Sequence, residues 1–399
     1  MPKLPDDNDR LRGIGTPLPA DPFDDAVPML DPAAEEARVV AEAERRRLLA
    51  LLEACHVRAV LAELLEVRGE VEYIAPLPGG VYPPMRDGDY PPAHLTPSTT
   101  VDRPGWPGVR ALLGGWRPDT VAVLVGHTGR GKSSFAVQVA EEAARARGGA
   151  PVLYASLEMG AVELLARMLA MRGRDGVRWA DVKRGKYPRD AVREAGERLV
   201  SEAPHLYLWA PRGREERTVE ALERMARAVC AEAGRPPLVV LDYVQRLADP
   251  STEERRGAVS ELSGRLRDLS RPDPAKGWPG CAVLALSSVG RAHYATFAKC
   301  DTLASATDLE GTGKESGELE YDAPVVLALT SDTDDDGAMV RQALLRVVKN
   351  REGSPGKVWM RFDAPRGLFR EGEAPSTGRA PVAGVAARKP GPRYASDDA

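Results

Sequence analysis

Gly126-His127-Thr128-Gly129-Arg130-Gly131-Lys132-Ser133 satisfies the pattern G-x-x-x-x-G-K-[ST]. It follows directly on the apolar run VAVLVG (121–126) and leads into SSFAVQVAEEAARARG, which has helical periodicity. Strand, glycine-rich loop and helix, in that order, are the setting in which this pattern cradles phosphate. The glycines let backbone N–H groups turn inward around a β-phosphate, and the helix N-terminus adds the positive end of its dipole. In such a loop Lys132 reaches the β- and γ-phosphates and the Ser133 hydroxyl meets Mg²⁺. ATP and Mg²⁺ are therefore the expected ligands, and the nucleotide-binding stretch runs from Gly126 to Ser134. His127 lies in the variable part of the loop and reads as a tolerated residue.

A loop of this kind commits its surroundings to alternating strands and helices. From Val109 to about Asp363 the apolar runs 121–126, 151–158, 205–210, 237–244, 281–288 and 323–330 alternate with helical stretches. Continuous apolar strands separated by helices imply a mainly parallel sheet covered on both faces, an α/β fold. Two later runs, ALLRVVKN and GKVWMRFD, flank REGSPG and predict a closing hairpin.

The rest of the chain divides by composition. Residues 1–32 are rich in Pro and Asp and read as a disordered acidic arm. Residues 33–68 form a helical element, one long helix or a helical hairpin. Leu48, Leu49, Leu52, Val60, Leu61 and Leu64 share its apolar face. That face is open to two readings, packing in its own core or docking on a neighbouring subunit. Residues 69–103 carry many prolines and glycines and read as a linker, residues 104–372 as the ATPase domain, and residues 373–399 as a disordered tail.

The net charge of −4 argues against non-specific coating of duplex DNA, while leaving room for a local basic channel. Four dispersed cysteines and five unclustered histidines indicate isolated thiols and no zinc site. No apolar run reaches the ~20 residues of a membrane span, and the start MPKLPDDNDR is unlike a signal peptide, so a soluble cytoplasmic protein is expected.

In an open parallel sheet the binding crevice lies at the carboxyl ends of the strands. The run 151–158 ends in Ser156-Leu157-Glu158-Met159, which brings Glu158 beside the phosphate loop. A carboxylate there can polarise the water that attacks the γ-phosphate, whereas alone it would read as a solvated helix-capping residue. The run PLVVLDYV places Asp242 at a strand end, the expected holder of the Mg²⁺ water shell.

SLEM and LDYVQ, in that order behind the phosphate loop, resemble the C-terminal ATPase domain of DnaB-type replicative helicases. The likeness extends over residues 104–363, through PGWPGVRALLGGWRPDT, VKRGKYPRDAVREAGERLVSEAPHLYL, RGAVSELSGRLRDLS, GKESGELEYDAPVVLAL and LLRVVKNREGSPGKVWMRFD. It implies a RecA-like P-loop core. It also implies a homo-oligomer, in that family a hexameric ring, acting on single-stranded DNA, with partners from replication or a mobile element.

Position by position, the resemblance makes Lys132, Ser133, Glu158 and Asp242 the hydrolytic group. It makes Lys349 and Arg351 a K-x-R element that reaches the γ-phosphate of the adjacent subunit. Lys314, Glu315 and Gly317 of GKESG match a DNA-holding loop, with Lys in place of the family's Arg; a solvated surface loop is the other reading. Two departures stand out. Ser288 ends Ala285-Leu286-Ser287-Ser288 where the family has the γ-phosphate-sensing Gln, with Arg291 following at its basic position, and the family's helical N-terminal domain has no counterpart beyond 33–67. Three functions are thus in play. The first is an ATP-dependent DNA helicase or translocase. The second is a RadA/RecA-like DNA-dependent ATPase of recombination, suggested by KNREG. The third is a nucleotide-dependent oligomeric scaffold.

Overall fold

The computed structural model describes residues 32–66, 106–145, 149–172, 178–213, 215–247, 255–289, 317–331, 339–351 and 353–373. The expected acidic arm, linker and tail lie outside the described residues. The chain forms two units divided at Arg47/Leu48. In the first, helix α1 (Pro32–Cys55) begins; Val39 and Val40 are exposed there and Glu42 pairs with Arg45 and Arg46.

The second unit is built on one nine-stranded sheet. Its strands are β1 (Thr120–Gly126), β2 (Val152–Ser156), β3 (Leu206–Trp209), β4 (Leu238–Asp242), β5 (Ala282–Ser288), β6 (Val325–Ser331), β7 (Val340–Asn350), β8 (Gly356–Asp363) and β9 (Leu368–Glu371). Their order is β3-β2-β4-β5-β1-β6-β7-β8-β9. The first six run parallel and β7 to β9 antiparallel. Side chains of β1 alternate between two cores: Ala122 and Leu124 face one, Val121, Val123 and Val125 the other. Burial on both faces is why this strand reads as an unbroken apolar run.

The helices are α2 (Val57–Glu66), α3 (Pro107–Leu113), α4 (Lys132–Arg145), α5 (Ala161–Arg172), α6 (Trp179–Lys183), α7 (Arg189–Glu202), α8 (Val219–Ala233), α9 (Arg255–Ser270) and α10 (Gly317–Asp322). The segment expected as one helix or a hairpin is two helices broken at His56, whose Nε2 lies 2.9 Å from the Pro204 carbonyl. Leu52, Cys55, Val57, Val60, Leu61 and Leu64 are buried within their own chain, while Leu49 remains 39% exposed. Helix α2 packs on α5, α7 and β3. The contact with α7 needs Gly196, since a Cβ there would fall within the Leu61 side chain.

The run REGSPG joins β7 to β8 as the sequence predicts. Strand β9 is an addition, four residues too short for alternation to announce. It is held to α4 by Gln138, whose Nε2 donates to the Phe369 carbonyl at 3.0 Å and whose Oε1 accepts from the Phe369 N–H at 2.9 Å.

Candidate nucleotide site

Strand β1 ends at Gly126 and α4 begins at Lys132, so the glycine-rich loop spans the carboxyl edge of the sheet. Two glycines are obligatory on steric grounds. A Cβ at Gly126 would stand 2.6 Å from the Leu329 carbonyl, and one at Gly131 would stand 2.7 Å from Phe369 and 2.9 Å from Phe362. Gly131 also has φ +90°, a conformation that side chains disfavour. The rings beneath it form a rigid floor: Phe362 stacks on Phe369 at 4.2 Å, and Phe369 meets Phe135 edge-on at 5.7 Å. The far side of the loop is tied to β6, where Arg130 donates to the Ser331 carbonyl at 2.8 Å.

Lys132 folds back into this loop, donating to the carbonyls of Gly126 at 2.6 Å and His127 at 3.0 Å. Burial lowers its pKa to about 8, opposed by the negative charges of Asp242 and Glu158. His127 is lowered to about 4 by burial and then by the cations of Arg130 and Lys132. It is therefore neutral at physiological pH.

Asp242 is 2% exposed at the end of β4. Its carboxylate accepts hydrogen bonds from the Ser133 and Tyr154 hydroxyls, the latter at 2.9 Å. Burial outweighs these bonds and raises its pKa, and it raises the pKa of Tyr154 further still. Tyr154 therefore stays protonated and acts as the donor. Ser133 and Asp242 together present hydroxyl and carboxylate oxygens, the hard donors that Mg²⁺ prefers. Among the described residues no group of three or more His, Cys, Asp or Glu could hold an ion. That suits a cation bound chiefly through the phosphates of its nucleotide.

Glu158 lies exposed just past β2, in a turn closed by Ser156, whose Oγ accepts from the Met159 N–H at 3.0 Å and donates to its carbonyl at 2.7 Å. Its charge is felt by Lys132, Asp242 and Tyr154. Ser288 pairs with Gly126 in the β1–β5 register, and its neighbour Ser287 accepts from Gln245 Nε2 at 2.9 Å. Thus Gly126 to Ser134, Glu158, Asp242 and Ser288 converge on one edge of the sheet.

Lys349 and Arg351 do not join them. Lys349 pairs with Val326, and the Arg351 N–H donates to the Pro324 carbonyl at 3.0 Å, near the start of β6. Val325 pairs with Ala122, so Pro324 lies level with Val121, five residues below Gly126. At ~3.3 Å per residue that is ~17 Å, farther than a side chain extends. Lys314, Glu315 and Arg291 lie outside the described residues; Gly317 opens α10.

Sequence reasoning passed over Tyr154, Gln138 and Arg167. Each has a signal: a hydroxyl within a buried apolar strand, an amide on the buried face of the phosphate-loop helix, and a cation on a mostly apolar helix. Arg167 bonds Glu163 at 3.1 Å and lies 4.0 Å over Trp179, with Ser134 Oγ at 3.5 Å from its Nη1.

The family model described as "DnaB-like helicase C terminal domain" matches residues 104–371. A replicative DNA helicase DnaB of Pasteurella multocida is 26% identical over 273 residues, covering 66% of this chain and 53% of the relative. Its counterpart in Leifsonia xyli is 27% identical over 317 residues, covering 78% of this chain and 65% of the relative. The chain thus spans between half and two-thirds of the length of these curated relatives. A solved DnaB-like replicative helicase, described with its interactions with primase, superposes with TM-score 0.53 at 21% identity. That superposition covers 67% of this chain and 61% of the other, and it speaks to the fold alone.

Proposed function

The chain belongs to the DnaB-like helicase C-terminal domain family, and from that premise we propose that it is an ATP-driven motor on single-stranded DNA, working as a ring of identical subunits. The observation that carries this reading is the separation of the two halves of a hydrolytic centre. The phosphate loop, Glu158 and Asp242 lie at one end of the strands, and Arg351 is exposed at the other. A cation so placed is out of reach of its own loop and can serve only the site of another subunit.

Each residue then has a distinct task. The loop amides and Lys132 bind the β- and γ-phosphates, and for this Lys132 must exchange its two carbonyl partners for phosphate oxygens. Bound Mg²⁺ supplies charge neutralisation at the β- and γ-phosphate oxygens. Ser133 and Asp242 would hold it, with Tyr154 fixing the carboxylate from behind. Glu158 orients the attacking water and accepts its proton. Arg351, with Lys349 beside it, neutralises charge developing on the neighbour's γ-phosphoryl group. Ser288 is too short to replace the family's Gln directly and would act through water. The Lys314 loops of several subunits would sum modest phosphate contacts along one strand.

ATP turnover measured with and without single-stranded DNA, alongside the mass of the assembly, tests the reading. A multimer stimulated by DNA and able to displace a strand is expected. Stimulation without displacement would favour the RadA/RecA-like ATPase, and turnover indifferent to DNA the scaffold.

A further inference from the structure

Helix α10 begins at Gly317, immediately after the segment that carries Lys314 and Glu315. With only six residues it has little stability of its own, so its position is set by what holds it. Leu319 and Glu320 anchor it by burial. Its C-terminal end carries carbonyls without partners inside the helix, and it is gripped from two other elements. From β7, Lys349 Nζ donates to the Tyr321 carbonyl at 2.5 Å and the Glu320 carbonyl at 3.4 Å, and lies 5.4 Å from the Tyr321 ring centre. From α9, Ser263 Oγ donates to Asp322 Oδ2 at 3.1 Å and Arg267 Nη1 to the Asp322 carbonyl at 3.5 Å.

The same end of α10 is bonded to the finger itself. The Arg351 N–H donates to the carbonyl of Pro324, two residues beyond the helix. A displacement of α10 therefore moves the backbone of Arg351 directly and the ammonium of Lys349 through its carbonyl contacts. The resemblance assigns Lys349 to a neighbour's phosphate, yet here the ammonium caps a helix of its own subunit. Cations at a helix C-terminus are favourable, so reaching for phosphate competes with holding α10.

We propose that the clamp on the end of α10 links what the segment before it binds to the placing of Arg351, and that Lys349, Ser263 and Arg267 are positioning residues for hydrolysis. This rests on the proposed roles of Lys314 at DNA and Arg351 at phosphate. DNA held by one subunit would then govern hydrolysis in its neighbour rather than in itself.

The test compares full-length wild type with Ser263→Ala and Arg267→Met, neither of which touches the nucleotide machinery. Turnover is measured with and without an oligothymidine strand, and strand affinity is measured separately. Basal turnover and strand affinity should hold, while stimulation by the strand falls by about threefold or more, the scale of coupling that one contact carries. Stimulation equal to wild type in both variants overturns the clamp and leaves the motor reading intact. A wild type that the strand does not stimulate overturns both. A second measurement needs no variant: hydrogen exchange at Ala323, whose N–H donates to the Leu319 carbonyl at 2.9 Å, should change when the strand is added. Unchanged exchange at Ala323 also counts against the clamp.

Discussion

Lys132 shows how one side chain is prepared for its ligand. Its ammonium is buried and satisfied only by two backbone carbonyls, which lowers its pKa to about 8. Phosphate would raise that pKa again, because an adjacent anion favours the charged form. Nucleotide binding should therefore take up a proton in the window above pH 8, and affinity should fall as pH rises through it. Calorimetry in buffers of different ionisation enthalpy at pH 8.5 checks this; binding without proton uptake would refute it. Glu158 is expected to separate from Lys132 by its effect. Glu158→Gln should retain nucleotide binding and lose turnover by about 10²-fold or more, as removal of a general base does. Lys132→Ala should lose tight binding itself. Fluorescent-nucleotide titration beside a phosphate-release assay distinguishes the two.

Among the elements, α2 depends most visibly on a single small residue. Its Leu61 occupies the place where any side chain at position 196 would begin, so α2 and α7 approach only over the bare backbone of Gly196. Gly196→Ala should force the helices apart. Two effects compete, since alanine also favours the helix interior by up to ~1 kcal/mol. Overpacking costs ~1–3 kcal/mol, so a net loss of stability is expected. Urea unfolding measures it, and a midpoint at or above that of wild type would show that α2 yields freely. The remaining elements were legible to different degrees for physical reasons. The six parallel strands declare themselves because both faces are buried, as the unbroken apolar run of β1 shows. Strand β9 does not, because Phe369 is its one fully buried residue and its place is set by Gln138 and the stacked Phe362.

At the scale of the whole molecule the sheet divides the hydrolytic parts between its two ends. If Arg351 serves a neighbouring subunit, Arg351→Ala should bind nucleotide and fail to hydrolyse it. Mixed with Glu158→Gln, it should regain activity, since an intact Glu158 on one subunit can meet an intact Arg351 from the next. Loss of such a finger costs on the order of 10³-fold in rate, so partial recovery is readily seen. Tagged pull-down must show mixed assemblies; activity that stays at the level of the separate variants in such assemblies would exclude action between subunits.

The phosphate loop, the sheet and the approximate limits of its parallel strands follow from sequence alone, because they depend on local patterns: glycine spacing, apolar runs and turn residues. Family membership was legible in SLEM and LDYVQ for the same reason. Tertiary structure alone decided that residues 52–64 bury against α5, α7 and β3, that Tyr154 backs Asp242, and that Lys349 caps α10. Each of these joins residues far apart in the chain through a contact that either partner, read locally, could have made elsewhere. It also decided the distance of Arg351 from its own phosphate loop. That distance depends on the register of β6 against both β1 and β7, and register is a property of paired strands rather than of any one of them.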